Sequence, residues 1–397
     1  MAHRHDRRAT GIHVHATEVV SYRNSEAKGI NRTAGQTLDW QALRTVRDEL
    51  SIMTHVLHYL GPEGTFTHQA ALGAAHALQS FTDTEDMQLV AQPDVAVILN
   101  AVASNGDWGV IAWENNIEGY VVPNLDAMID ASNVAAFARV GVDVSFDAFV
   151  STDTAPDSTD VILQPDDLIQ QCTTISAHPH GLAQCRRFAQ SHHLQAVPAA
   201  SNGAACRDLK PGCVALGPSI CGELYGLTRV ATAVEDYPGA HTEFLVLAPR
   251  ADVPQLLATW RAHNTVEFES IVAFIPLYTG PGVLANLLDV LRDAGLNMTS
   301  FISRPIKGRD GTYSFIATVD AAPWQDYFRS VLAEVAEHGD WVKTLAVYPR
   351  RERPNPPVYA WSLPNGGVRL DGATDGSADM LTSGWQHDDS TRKELLW

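Results

Sequence analysis

VLHYLGPEGTFTHQAALGAAHALQSF, residues 56–81, opens the folded part of the chain. VLHYL has the apolar and aromatic run of a buried strand, GPEG is a tight turn, and HQAALGAAHALQSF repeats its alanines and leucines at helical spacing. A strand that passes through a glycine-rich turn into a helix is the unit from which α/β domains are built. The alternation continues to residue 249. WGVIAWE (108–114), VGVDVSF (140–146), CVALG (213–217) and TEFLVLAP (242–249) are strand-like, and stretches such as HGLAQCRRFAQSH (180–192) are helical. The pattern predicts an α/β domain over 53–249, long enough for two lobes with a cleft between them. Ligand sites in such folds lie at strand C-termini and helix N-termini.

On the N-terminal side, residues 1–37 are polar, rich in His and Arg, and aperiodic, and they are expected to be disordered. Residues 38–52 place Leu38, Leu43, Val46 and Leu50 near helical spacing, which suits a short amphipathic helix. On the C-terminal side, 250–267 is a linker. It leads into strand ESIVAFI, helix VLANLLDVLRDAG, strand MTSFISRPI, turn KGRDG, strand TYSFIATVD, helix WQDYFRSVLAEVAEHG and strand VKTLAVYP. This β-α-β-β-α-β order over 268–349 is a ferredoxin-like module. The Pro-, Gly-, Ser- and Asp-rich tail 350–397 is expected to be disordered.

The 397 residues carry a formal net charge of −18 and are 45% hydrophobic. That is enough apolar material for sizeable cores, while the acidic balance argues against a nucleic-acid partner. A small anionic ligand is still compatible, through a local amide-lined or basic pocket. The five cysteines, Cys172, Cys185, Cys206, Cys213 and Cys221, form no CxxC pair and no zinc spacing, so free thiols in a cytoplasmic protein are expected. No apolar run has transmembrane length. No GxSxG elbow and no Walker or Rossmann glycine pattern occurs.

Four segments carry polar chemistry. GPEGTF (61–66) offers backbone N–H groups at a helix start, with Thr65 as N-cap or ligand donor, although a plain capped turn reads the same way. WENNIEG (113–119) clusters Glu114, Asn115, Asn116 and Glu118 at the end of a buried strand, either for a ligand or as a turn network. AHPHGLAQC (177–185) sets His178 and His180 at a helix N-terminus, where the dipole favours neutral imidazoles, with Gln184 one turn on. In AHTEFLVL (240–247), strand alternation puts Thr242 and Glu243 on opposite faces.

In this order, YLGPEGTFTHQAAL, WENNIEG, AHPHGLAQCRRF, CGELYGL and VEDYPGAHTEFLVL resemble the prephenate dehydratase family from Val56 to Pro249. Residues 268–349, with TGPGVLANLLDVLRDAGLNMTSFISRP, resemble its attached ACT domain. The resemblance implies a two-lobed, periplasmic-binding-protein-like catalytic domain followed by a ferredoxin-like ACT regulatory domain. It also implies decarboxylation and dehydration of prephenate to phenylpyruvate without a cofactor, and assembly as a homodimer or homotetramer. By resemblance, Thr242, Asn115 and Gln184 are catalytic. Thr65, Glu114, Asn116, Ala177, His178, His180, Glu243 and Phe244 bind the dicarboxylate substrate. Gly282, Val283 and Leu284, with Ile302, Ser303, Arg304 and Pro305, shape an amino-acid effector site between ACT domains.

The chain departs from the family pattern at several of these positions. The threonine–arginine–phenylalanine motif reads Thr242-Glu243-Phe244, so a carboxylate replaces a guanidinium suited to carboxylates. Two like charges at about 4 Å repel by ~4 kcal/mol at an effective dielectric of about 20. Glu243 must therefore be protonated, turned away, or matched to a different ligand. If dehydration is retained, Glu243→Arg is expected to raise phenylpyruvate formation. Ala177 replaces a serine, His180 a glutamine, and Asn116 a serine; Ile302 replaces the glutamate of the effector motif. Two alternatives accompany these departures. One is a non-aromatising decarboxylase of prephenate or an analogue, with Glu243 as proton donor. The other is a non-catalytic, ligand-sensing dimer.

Overall fold

The computed structural model describes residues 56–78, 87–151, 164–262 and 266–351, with short pieces at 358–359, 361, 363–368 and 393–396. The expected extension over 1–52 and most of the expected tail over 350–397 lie outside the described residues. The short pieces after 351 belong to a separate unit, in which Gly367 N donates to Glu394 Oε2 at 3.0 Å.

β1 (Val56–Leu60) turns into α1 (Phe66–Leu78), followed by β2 (Gln88–Gln92), α2 (Val95–Asn105), β3 (Trp108–Asn115), the two-residue β4 (Gly119–Tyr120), α3 (Val122–Asp130) and β5 (Val134–Asp143). Asp94 caps α2 by accepting from Val97 N at 2.9 Å, and Gly106, with φ of 79°, ends it. The chain then crosses to a second sheet. It forms β6 (Asp147–Val150), α4 (Pro165–Gln170), β7 (Thr174–Ala177), α5 (Pro179–Gln184), α6 (Arg186–Ser191), β8 (Gln195–Pro198), α7 (Asn202–Arg207), β9 (Cys213–Gly217), α8 (Ile220–Tyr225) and β10 (Thr228–Ala231). It returns to the first sheet as β11 (His241–Pro249). The outward and return crossings lie side by side, joined by Val144 N to Ala240 O (2.7 Å) and Val234 N to Phe146 O (2.9 Å).

After β11, α9 (Val253–Leu256) and α10 (Ala258–Ala262) occupy the expected linker. The module follows as β12 (Phe268–Ile275), α11 (Val283–Asp293), β13 (Met298–Pro305), β14 (Tyr313–Val319), α12 (Asp326–Glu337) and β15 (Trp341–Pro349). Its strand order, β13-β14-β12-β15, is that of the ferredoxin-like fold.

Two expectations shift. The strand expected at 140–146 spans Val134–Asp143, because Val144 to Phe146 are spent on the crossing. The single helix expected over 180–192 breaks at Cys185, whose φ of −121° is not helical.

β15 pairs in parallel with β5 at Ala346 and Ala136, so the module's sheet continues into the first lobe's sheet as β13-β14-β12-β15-β5-β11-β3-β1-β2. The second lobe has its own sheet, β10-β6-β9-β7-β8. One apolar core lies between the large sheet and α1, built on Leu57, Ala70, Phe137, Phe244 and Val246. On the other face, Ile98, Leu125 and Leu247 share a core with Ile271, Leu345 and Tyr348 of the module. Among the described residues, no helix is long and apolar enough to cross a membrane.

Candidate active site

The turn after β1 is built as a capped helix start. Gly64 adopts φ of 75°, a left-handed conformation that glycine takes without strain. Thr65 Oγ1 accepts from His68 N (3.1 Å) and donates to Pro62 O (3.0 Å), while Gly64 N donates to His68 Nδ1 (3.1 Å). Burial lowers the pKa of His68, against the pull of Glu63, which suits a ring nitrogen that accepts a hydrogen bond. Thr65 is thus the N-cap of α1, with its hydroxyl engaged inside the turn. From the second lobe, Tyr225 Oη donates to Glu63 O (2.8 Å) and Cys221 Sγ to Gly64 O (3.1 Å).

The start of β11 and the end of β3 bring Thr242 and Asn115 into register. Asn115 Nδ2 donates to Thr242 Oγ1 at 2.9 Å. The amide cannot point the other way, because Asn115 Oδ1 already accepts from Ile117 N (2.9 Å) and Glu118 N (3.0 Å). The same turn reaches the second lobe. Gln184 Nε2 donates to Glu118 Oε1 (3.1 Å), and His180 Nδ1 lies 3.0 Å from Glu118 Oε2. Asn115, Thr242 and Gln184 therefore belong to one hydrogen-bonded chain, and Glu118 is its middle link.

His178 caps α5 by accepting from His180 N at 3.3 Å, and its own N–H donates to Asn202 Oδ1 at 3.0 Å. Burial first, and then His180, lower its pKa, so the neutral ring is favoured. Asn116 spends its polar groups on the β10–β11 segment: Nδ2 donates to Gly239 O (2.9 Å) and Oδ1 accepts from His241 N (2.8 Å). Glu114 is the register partner of Glu243. Ala177 and Phe244 are core residues, 0% and 1% exposed.

Glu243 is turned away. Thr242 shares its side-chain phase with Phe244 and Val246, which pack towards α1, whereas Glu243 shares the phase of Leu245 and Leu247 on the opposite face. There Arg351 Nη1 donates to both Glu243 oxygens (3.1 and 3.2 Å), and Arg139 Nε lies 3.4 Å from Oε2. His241 donates from Nδ1 to Asp143 (2.9 Å) and from Nε2 to Glu243 (3.2 Å). Both acceptors are carboxylates, so both ring nitrogens carry protons; the pKa of His241 is raised by its bond to Glu243, against burial, and by Asp143. Burial would raise the Glu243 carboxyl, but the His241 bond and the charges of Arg139, Arg351 and His241 bring it down to about 2. Held by these cations, Glu243 lies on the face of the strand opposite Thr242.

In the module, Gly282 is the left-handed N-cap of α11, with φ of 89°. Val283 lines a 160 Å³ cavity with Tyr278, Asn286, Leu287, Glu334 and His338. Leu284 is exposed beside it, and Leu277 and Tyr278 are the most exposed apolar side chains of that loop. Ile302, Ser303, Arg304 and Pro305 lie on β13 and do not line this cavity. Arg304 is instead paired with Asp126 of α3 through Nε and Nη2, both at 3.0 Å.

Arg139, Glu269, Tyr348 and Arg351, which build the network around Glu243, carried no local signal in the sequence, because three separate segments supply them; His241 lay in the AHTEFLVL motif two residues from Glu243. Glu118 lay in a recognised motif and was legible as polar, but not as the bridge to Gln184.

A two-lobed α/β fold with a ferredoxin-like module, and an Asn–Thr pair at the mouth of the large sheet, define the class. The prephenate dehydratase profile matches residues 57–252. The prephenate dehydratase of Mycolicibacterium vanbaalenii is 30% identical over 302 residues, covering 71% of this chain and 89% of that protein. The chain belongs to the prephenate dehydratase family. Among solved structures, the prephenate dehydratase of Arthrobacter aurescens in complex with L-Phe aligns with a TM-score of 0.58 at 22% identity, over 74% of this chain and 90% of that one. GqqA, described as a novel type of quorum-quenching acylase, aligns with a TM-score of 0.59 at 20% identity, over 74% and 98%. At these identities the structural matches speak to fold alone.

Proposed function

We propose that the chain is a lyase that converts prephenate to phenylpyruvate, with Thr242 as the group that assists departure of the ring hydroxyl. The ring carboxylate leaves as CO2 and its electron pair aromatises the ring. The C–O bond breaks, and the oxygen takes up one proton and leaves as water. Aromatisation supplies the driving force, so the protein's task is to hold two carboxylates and to stabilise the departing oxygen. The orientation of Asn115 carries this reading. Its amide is held so that it donates to Thr242 Oγ1, which leaves the threonine O–H to donate outward to substrate. Gln184, catalytic by the resemblance, and His180, substrate-binding by the resemblance, are gathered on Glu118.

The periplasmic-binding-protein-like description of the two lobes, and the division into a catalytic segment 53–249 and an ACT-type module 268–349, are part of the same proposal. The module's strand order supports an ACT assignment, and the L-Phe complex of the Arthrobacter protein supports an amino-acid effector. The exposed Leu277 and Tyr278 beside the Val283 cavity support a homodimer or homotetramer that completes the effector site. The five free cysteines are compatible with a cytoplasmic setting.

Incubation of purified protein with prephenate at mildly alkaline pH, read by ultraviolet absorbance and mass spectrometry, tests the reaction. Enzyme-dependent phenylpyruvate is expected, and Thr242→Ala should reduce its formation by at least about a hundredfold. A decarboxylated product that keeps its hydroxyl would replace this reading with non-aromatising decarboxylation.

A further inference from the structure

On the face of β11 opposite Thr242, charged side chains converge from strands far apart in sequence. Arg139 comes from β5, Glu243 from β11, Glu269 from β12, and Arg351 from the second residue after β15. Arg351 grips both oxygens of Glu243 and donates from Nη2 to Arg139 O at 2.6 Å. Arg139 Nη1 donates to Glu269 Oε1 at 3.1 Å, and its guanidinium lies 5.1 Å from the centre of the Tyr348 ring. Tyr348 Oη donates to the same Glu269 oxygen at 2.6 Å. The side chains of Arg139, Glu269 and Arg351 are 8, 1 and 9% exposed, and that of Glu243 is 20% exposed.

Buried partners of this kind are costly to separate, because removing one leaves the other's charge out of water and unpaired. Arg351 is buried, and Gly141 leaves room for His241 and for it. A Cβ at Gly141 would stand 2.5 Å from His241 Nε2 and 3.3 Å from Arg351 Nη1. Glu243 adjoins Thr242 along the backbone. Fixing the carboxylate from below therefore fixes the peptide that carries the Thr242 side chain above, and with it the 2.9 Å approach of Asn115.

We propose that Arg351, acting with Arg139 and Glu269 on Glu243, is a positioning residue through which the ferredoxin-like module holds Thr242 in register with Asn115. The charge reversal at 243 is then not a lost substrate ligand. It is the attachment point of this bridge. The proposal rests on the reading that Thr242 acts on prephenate, and the variants separate the two ideas.

Steady-state kinetics of the full chain with prephenate test it. Arg351→Met and Glu243→Gln should each lower kcat about tenfold with KM little changed, since misplacement of a reacting group costs rate and not binding. The double variant should also fall about tenfold and not a hundredfold, because both substitutions remove the same interaction. Arg351→Lys, which keeps the charge and loses the fork, should recover part of the loss. If Arg351→Met does not fold, Arg351→Lys carries the test, with a several-fold drop in kcat at constant KM expected. An unchanged kcat in the folded Arg351 variants, or a loss that appears wholly in KM, overturns the proposal. If Thr242→Ala retains full phenylpyruvate formation, it is the reading of Thr242 that fails.

Discussion

At residue 243, where the family pattern has an arginine, the chain carries a carboxylate set among cations. The carboxylate is held by two guanidiniums and an imidazolium, so an arginine there would become a third guanidinium beside Arg139 and Arg351. Glu243→Arg is therefore expected to lower phenylpyruvate formation, the reverse of what the family pattern suggests. It should also destabilise the fold by about 3–5 kcal/mol, read as a lower denaturant midpoint. The carboxyl also sets an acid limit. Its folded pKa, about 2, lies below the ordinary value of 4.5, so the unfolded chain binds more protons between these values. The stabilisation is present above the ordinary value and is lost as pH falls towards about 2. The stability of Glu243→Gln, read as a denaturant midpoint, should accordingly show less dependence on pH over that window than wild type.

At the scale of elements, α3 depends on a side chain far away in sequence. The helix has no basic residue in its last turn, and Lys343 Nζ of β15 supplies the cap by donating to Met128 O (3.1 Å), Ile129 O (2.8 Å) and Ala131 O. A cation at a helix C-terminus satisfies orphan carbonyls and complements the dipole. Lys343→Met should cost about 1–2 kcal/mol in chemical denaturation, and an unchanged midpoint would show that solvent caps the helix equally well. The same contact shows why some elements were legible and others were not. β9 and β12 followed from continuous apolar runs, and α11 from apolar residues one turn apart, because each signal lies within one element. The span of β5 did not, because a chain crossing ends it at Asp143, and the break at Cys185 has no signal in the helical spacing of 180–192.

At the scale of the molecule, the module and the first lobe share a sheet, an apolar core and the ion pairs from Arg304 and Arg351. Elements that share a core lose it together. Calorimetry should therefore show the module melting with the first lobe in a single transition, and a separate, earlier transition assigned to residues 268–349 would contradict it.

Sequence by itself determined the α/β alternation, the βαββαβ order, and the motifs that hold Asn115, Thr242 and Gln184. These depend on local periodicity and on residues close together in the chain. It also determined, by alternation, that Thr242 and Glu243 face opposite ways. Only the tertiary structure decided what Glu243 meets. Its guanidinium partners come from residues 139 and 351, and a pairing across such separations exists only once the strands lie side by side.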